Sequence, residues 1–137
     1  MASEMIIRFP GNKKVVAEFD GFAVATDQPV EAGGDGGAPA PFDLFLASLG
    51  TCAGIFVLSF CRKRAIPTDG LEIRQTTEWD PEKHLAAKIT LEISLPANFP
   101  EKYRDSLVKA AELCTVKRHL LEPPRIEVRT VARADSR

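Results

Sequence analysis

Residues 41 to 64, PFDLFLASLGTCAGIFVLSFCRKR, constrain this chain more than any other stretch. No charged side chain interrupts the run from Leu44 to Cys61, and it ends against Arg62, Lys63 and Arg64. Leucine, alanine and phenylalanine dominate, and a strand of that length would be exceptional, so the pattern predicts a helix from about 42 to 64. A helix apolar all round for about five turns must be covered on every side, by lipid or by protein. Its 18 uncharged residues reach the lower limit for crossing a bilayer, and the basic triplet resembles the flank of a cytoplasmic anchor. Against a span stand Ser48, Thr51 and Ser59 inside the run, Asp43 at its start, and neighbouring segments that read as half-buried strands in need of a core. The sequence favours a buried helix and no membrane.

The flanking segments supply that core. KKVVAEF and FAVATD flank Asp20-Gly21, and an Asp-Gly pair between β-rich runs predicts a hairpin near residues 14 to 26. PVEAGGDGGAPAP, with four glycines and three prolines in 13 residues, is a loop that delivers the chain to Pro41, a favourable first-turn residue. Beyond Pro67 and Asp69-Gly70, LEIRQTTEW sets Leu71, Ile73 and Trp79 against Glu72, Arg74 and Glu78. LAAKITLEISL sets Leu85, Ala87, Ile89, Leu91, Ile93 and Leu95 against Lys88, Thr90, Glu92 and Ser94. Such alternation predicts two half-buried strands, paired antiparallel through DPEKH. EKYRDSLVKAAELC has the spacing of a short amphipathic helix, and TVKRHLLE reads as a second one stopped by Pro123-Pro124. RIEVRTV is expected to close the fold as a strand with Ile126 and Val128 inward, leaving a disordered tail at 133–137. The expected fold is one α+β domain over 1–137, ordered from about 4 to 132, with an antiparallel sheet around a long central apolar helix. One small sheet cannot cover such a helix alone, so a second subunit is expected.

Charge and cysteine usage narrow the function. The 18 basic and 19 acidic side chains are interspersed, with a formal net charge of −1, so nucleic acid is not an expected partner. MASEMIIRFPGNKK lacks the layout of a secretory signal, which points to the cytoplasm. Three cysteines without a CxxC, and two histidines that stand apart, fit neither a disulfide scaffold nor a zinc site.

Cys52 and Cys61 are nine residues apart, about 900° of helical rotation, and so lie on opposite faces. The Cys52 face reads Phe45, Ser48, Leu49, Ile55, Phe56 and Ser59, with Gly50 and Gly54 beside the thiol as if to admit a substrate or another backbone. A buried cysteine serving as a small hydrophobe explains Cys61 and, on these residues alone, serves for Cys52 as well. Cys114 stands between two helical stretches, where a helix beginning near Thr115 would place its sulfur at the positive helix end. His119 and Lys117 read as exposed helix residues and His84 as a solvated loop residue.

PFDLFLASLGTC followed by ELCTVKRHL resembles the paired signatures of the OsmC/Ohr family of small bacterial thiol proteins. The preceding hairpin and glycine-rich loop match too, so the resemblance covers about residues 4 to 132. It implies an intertwined homodimer interlocked around the long helices, and a cofactor-free hydroperoxide reductase with a preference for organic hydroperoxides. The peroxidatic position falls on Cys52 and the resolving position on Cys114, with an external dithiol as reductant. Phe42 occupies the place of a glutamate that, in the peroxidases, orients an arginine over the thiolate; that arginine would fall near Asn12 and Lys13, with Arg8 the nearest one. The chain therefore resembles the OsmC-like branch, for which the alternative is a non-catalytic protein holding a small hydrophobic or thiol-bearing ligand in the dimer cleft.

Overall fold

The computed structural model describes residues 2–133. From the N-terminus, strands β1 (Ile6–Gly11), β2 (Lys14–Phe19) and β3 (Phe22–Thr26) form an antiparallel meander in that order. The β2–β3 hairpin turns at Asp20 and Gly21, both at positive φ, so that Phe19 pairs with Phe22. This is the turn the Asp-Gly pair predicts. β1 is an edge strand, and its ladder shifts register between Arg8 and Gly11, where Pro10 has no N–H to give.

The glycine-rich loop is held by a buried carboxylate rather than left slack. Asp27 is buried and accepts from the Gln28 N–H at 2.7 Å and the Gly37 N–H at 3.0 Å, while Lys14 lies 3.7 Å from its Oδ2 and also pairs with Asp35. Asn12 donates to the Gly33 carbonyl and to Asp35, both at 3.2 Å. The loop is thereby stapled to β2 and hands the chain over at a fixed point.

Helix α1 (Pro41–Lys63) starts there. Pro41 occupies its first turn, and the Asp43 carboxylate accepts from the Ala40 N–H at 3.3 Å, satisfying one of the free donors at the helix start. At the other end the Arg64 guanidinium lies 3.7 Å from the Phe60 ring centre and donates to the Phe60 carbonyl. Ala65 at positive φ and Pro67 follow, and the helix cannot continue.

β4 (Glu72–Asp80) and β5 (Leu85–Ser94) form a long antiparallel hairpin, and α2 (Arg104–Ala111) and α3 (Thr115–Leu121) pack on α1. The core gathers around the C-terminal half of α1, where Val57, Phe60 and Cys61 meet Ile66, Phe99 and Leu107, with Ile73, Ile93 and Tyr103 around them. Tyr103 meets Phe60 edge-on at 5.9 Å. The architecture is α+β with antiparallel strands and a long apolar helix, as expected, but the strands form two separate sheets, and the meander makes almost no contact with the helices or the second sheet.

Two expectations are corrected. The ladder shifts between Glu78 and Trp79, so that Trp79 pairs with Ala86 and Ala87 becomes an extra residue on β5. The bulge reverses the alternation beyond it, and Leu85 and Ala87 leave the inner face; Leu85 is 61% exposed. RIEVRTV is not a strand in this chain: residues 123 to 133 carry no regular structure, and Ile126 and Val128 are 83% and 92% exposed. Alternation favours an extended conformation, but a strand also needs an edge to pair with, and this segment pairs with neither sheet. The expected disordered tail lies, from residue 134, outside the described residues.

The Gly37 and Gln28 N–H groups, against the cost of burial, hold the Asp27 carboxyl below the usual carboxylate range. A depressed folded value means a contribution to stability that is present above the unfolded value of about 3.9 and is lost as pH falls through the folded one. We expect Asp27→Asn to lower the thermal midpoint at neutral pH, with the gap to wild type narrowing below about pH 4; parallel melts from pH 3 to 7 check it, and a gap that does not change with pH would refute the assignment.

Candidate active site

The site lies where the middle of α1 meets the start of α3. The apolar face of α1 buries Leu49 and Ala53, and one turn of helix carries Cys52, half-buried, to their side. Cys114 is the N-cap of α3: its Sγ accepts from the Lys117 N–H at 3.4 Å and donates to the Leu49 carbonyl at 3.8 Å. These two contacts pin the first turn of α3 against α1.

Four groups of α3 and its cap then act on the Cys52 sulfur. Burial pushes this thiol up, but the Val116 N–H, the Cys114 thiol, and the N–H and hydroxyl of Thr115 outweigh it and hold the thiol below the ordinary cysteine value. Cys114 moves the opposite way. Its burial and the neighbouring Cys52 raise it, and the Lys117 N–H offsets this only in part. The two cysteines that the sequence singled out, 62 positions apart, thus act on each other, and the thiol of Cys52 is shifted down while that of Cys114 is shifted up.

The remaining candidates lie elsewhere. Cys61 is fully buried in the core, and burial raises it despite the Arg64 charge. Arg8 is on β1 in an exposed ion pair with Glu18 at 2.7 Å and is not among the groups acting on Cys52. Asn12 is spent on the glycine-rich loop. Phe42 stacks on Phe45 at 5.1 Å and meets Trp79 at 5.7 Å, so the place of the glutamate holds an aromatic cluster at the foot of α1. The His119 Nδ1 bonds the Thr115 carbonyl at 2.7 Å, and His84 occupies the β4–β5 turn at positive φ.

Gly50 and Gly54 require a correction, because they do not open a path to the thiol. A Cβ on Gly50 would stand 2.5 Å from the Gln75 Oε1, and one on Gly54 would touch Ile73 at 4.0 Å. The bare backbone at Gly50 lets the Gln75 Nε2 of β4 reach the Leu46 carbonyl at 2.8 Å. Gly50 makes room for the sheet side chain, whereas a Cβ on Gly54 would make ordinary contact with Ile73.

Two features were not read from the sequence. The first is a cavity of about 430 Å³ on the Cys114 side, walled by Leu49, Ile89, Leu91 and Leu107, with Arg104, Glu112 and Lys117 also in its lining. The alternation of β5 marks its wall, but the helices that close it are contiguous only in the fold. The second is Thr115, whose signal was its place next to Cys114.

We expect iodoacetamide at neutral pH to modify Cys52 well before Cys114 and Cys61, as peptide mass spectrometry resolves; equal rates at Cys52 and Cys114 would contradict the opposed shifts.

The sequence profile described as OsmC-like protein matches residues 34–129. A protein from Psychrobacter arcticus 273-4, described as an osmotic stress induced and detoxification response protein, has a similar structure: the TM-score is 0.71 at 21% identity, covering 83% of this chain and 85% of that one. An organic hydroperoxide resistance protein OsmC from Legionella pneumophila, also described as a predicted redox protein, aligns with a TM-score of 0.52 at 21% identity, covering 85% and 88%. Likeness at these identities is likeness of fold. No curated protein matches the chain.

Proposed function

The chain belongs to the OsmC-like protein family, and from that premise we propose that it is a cytoplasmic, thiol-dependent hydroperoxide reductase with Cys52 as peroxidatic and Cys114 as resolving cysteine. The observation that carries the reading is the seat of Cys114, which caps α3 and bonds the Leu49 carbonyl one turn of α1 from Cys52, with the two thiols shifted in opposite directions. The Cys52 thiolate attacks the outer oxygen of a hydroperoxide ROOH, the O–O bond breaks, and the alkoxide leaves as ROH after taking a proton, so that Cys52 becomes a sulfenic acid. The Cys114 sulfur then attacks the Cys52 sulfur; the S–O bond breaks, water leaves with the Cys114 proton, and a disulfide remains. An external dithiol reduces it and is itself oxidised to a disulfide. Loss of the Cys52 negative charge in the first step removes one cause of the high Cys114 value, so the resolving thiol becomes easier to ionise when it is needed.

The description of the Legionella pneumophila protein as an organic hydroperoxide resistance protein is in keeping with this chemistry, and the apolar cavity beside Cys114 suits an organic rather than an inorganic peroxide. We expect hydroperoxide consumption with a dithiol donor in the wild type, none in Cys52→Ser, and a single turnover without cycling in Cys114→Ser. Equal slow rates in all three would leave the alternative, a non-catalytic protein holding a small hydrophobic or thiol-bearing ligand, which the same cavity and Phe42 favour.

The working unit is a homodimer. Half of Ile55 and nearly half of Phe42 on α1 are uncovered, the meander lacks a partner layer, and residues 125 to 131 keep an unused strand pattern. A second copy would cover all three. Light scattering should return twice the 15.0 kDa mass of one chain; a monomer at micromolar concentration would sink this part of the reading.

A further inference from the structure

The two cysteines stand differently toward the cavity. Cys114 belongs to its wall, and Cys52, among the described residues, does not. The groups that bond the Cys114 sulfur come from Leu49, whose carbonyl is 3.8 Å away, and from Lys117, whose N–H is 3.4 Å away; both residues line the same cavity. A molecule held there meets Cys114 first.

The rest of the lining selects its chemistry. Ile73, Ile93 and Leu95 of the β4–β5 side face Val108 and Ala111 of α2. The charged members are paired, Lys117 with Glu112 at 3.9 Å and Arg104 with Glu101 at 3.4 Å. An ionic group entering would lose hydration and find its counter-charges already engaged, so the walls suit a neutral, apolar molecule.

We propose that the cavity is the entry site of the reductant, a small neutral organic dithiol with an apolar body, which attacks the disulfide at the Cys114 sulfur. The inference rests on the Cys52–Cys114 disulfide of the reading above, not on hydroperoxide being the oxidant. One thiolate of the reductant bonds to the Cys114 sulfur, the S–S bond breaks, and Cys52 leaves with the electron pair as a thiolate. The second thiol of the reductant then attacks its own partner sulfur in the mixed disulfide. Cys114 leaves and takes up a proton, and the reductant departs as a cyclic disulfide, oxidised by the two electrons that the protein gains. Leaving-group chemistry favours this order. The thiol with the lower value leaves faster, and Cys52 is held below the ordinary cysteine value while Cys114 is raised above it. Exposure alone would direct a hydrophilic thiol to Cys52, which is half-buried, rather than to Cys114, which is 3% exposed.

The test starts from protein oxidised with diamide, which forms the disulfide whether or not hydroperoxide is a substrate. Butanethiol is added, the reaction is stopped with acid, and peptide mass spectrometry locates the mixed disulfide. We expect it on Cys114, with Cys52 free; an adduct on Cys52, or no Cys52–Cys114 disulfide after diamide, would overturn the proposal. Butanedithiol should reduce the oxidised protein about tenfold faster than dithiothreitol, which carries two hydroxyls on the same chain, once each rate is divided by that on a small free disulfide. Val108→Trp, at a position 47% exposed in the lining, and Ala111→Phe should narrow that advantage. No advantage in the wild type, or one undiminished in both variants, would also refute it. Reduction that follows this pattern without hydroperoxide consumption would sustain the role of the cavity and sink the peroxidase.

Discussion

The burial of α1 is the constraint on which the rest of the molecule depends. Its apolar residues face in every direction, and each neighbouring element is shaped to cover one side. On the β4 side Gly50 leaves the helix backbone bare, and Gln75 there bonds the Leu46 carbonyl. α2 contributes Leu107, fully enclosed against Val57 and Phe60. α3 arrives last and is fastened through one sulfur, Cys114, to the Leu49 carbonyl. The candidate site is therefore made by packing: the contact that closes the helix layer is the one that brings Cys114 to the turn of α1 that carries Cys52.

Its electrostatics follow from the same geometry. A half-buried thiolate pays for lost hydration and needs donors that the fold has already placed. Backbone N–H groups at the start of α3 have no partners within their own helix and are free to serve. They act on Cys52 while the cap position keeps Cys114 deeper, where burial shifts its thiol up. Phe42 stacks on Phe45 and meets the Trp79 ring at a tilt, an aromatic cluster between helix and sheet.

Much of this was legible in the residues, for definite reasons. Asp20-Gly21, the alternation of β4 and β5 and the punctuation at Pro41 and Pro67 are local signals, and they placed the hairpins and both ends of α1 within a residue or two. Helical phase separated Cys61 from Cys52 without reference to any partner. What escaped was relational. The bulge at Ala87 depends on how two strands register, so Leu85 was set on the wrong face. The segment RIEVRTV has the composition of a strand but no neighbour in its own chain. The glycines of α1 were assigned to the thiol because the sequence does not tell which side the sheet takes. Cys52 and Cys114 were joined by resemblance; the opposed shifts of their thiols came only with the fold.

The position of Cys114 carries one more consequence. Its sulfur accepts the hydrogen bond that starts α3 and gives its proton to a carbonyl of α1. A sulfur that has entered a new covalent bond has no proton for Leu49, and its lone pairs turn with that bond away from the Lys117 N–H. The first turn of α3 would then exchange its amide protons with solvent more readily, and the helix would become a recorder of the valence state of a single atom.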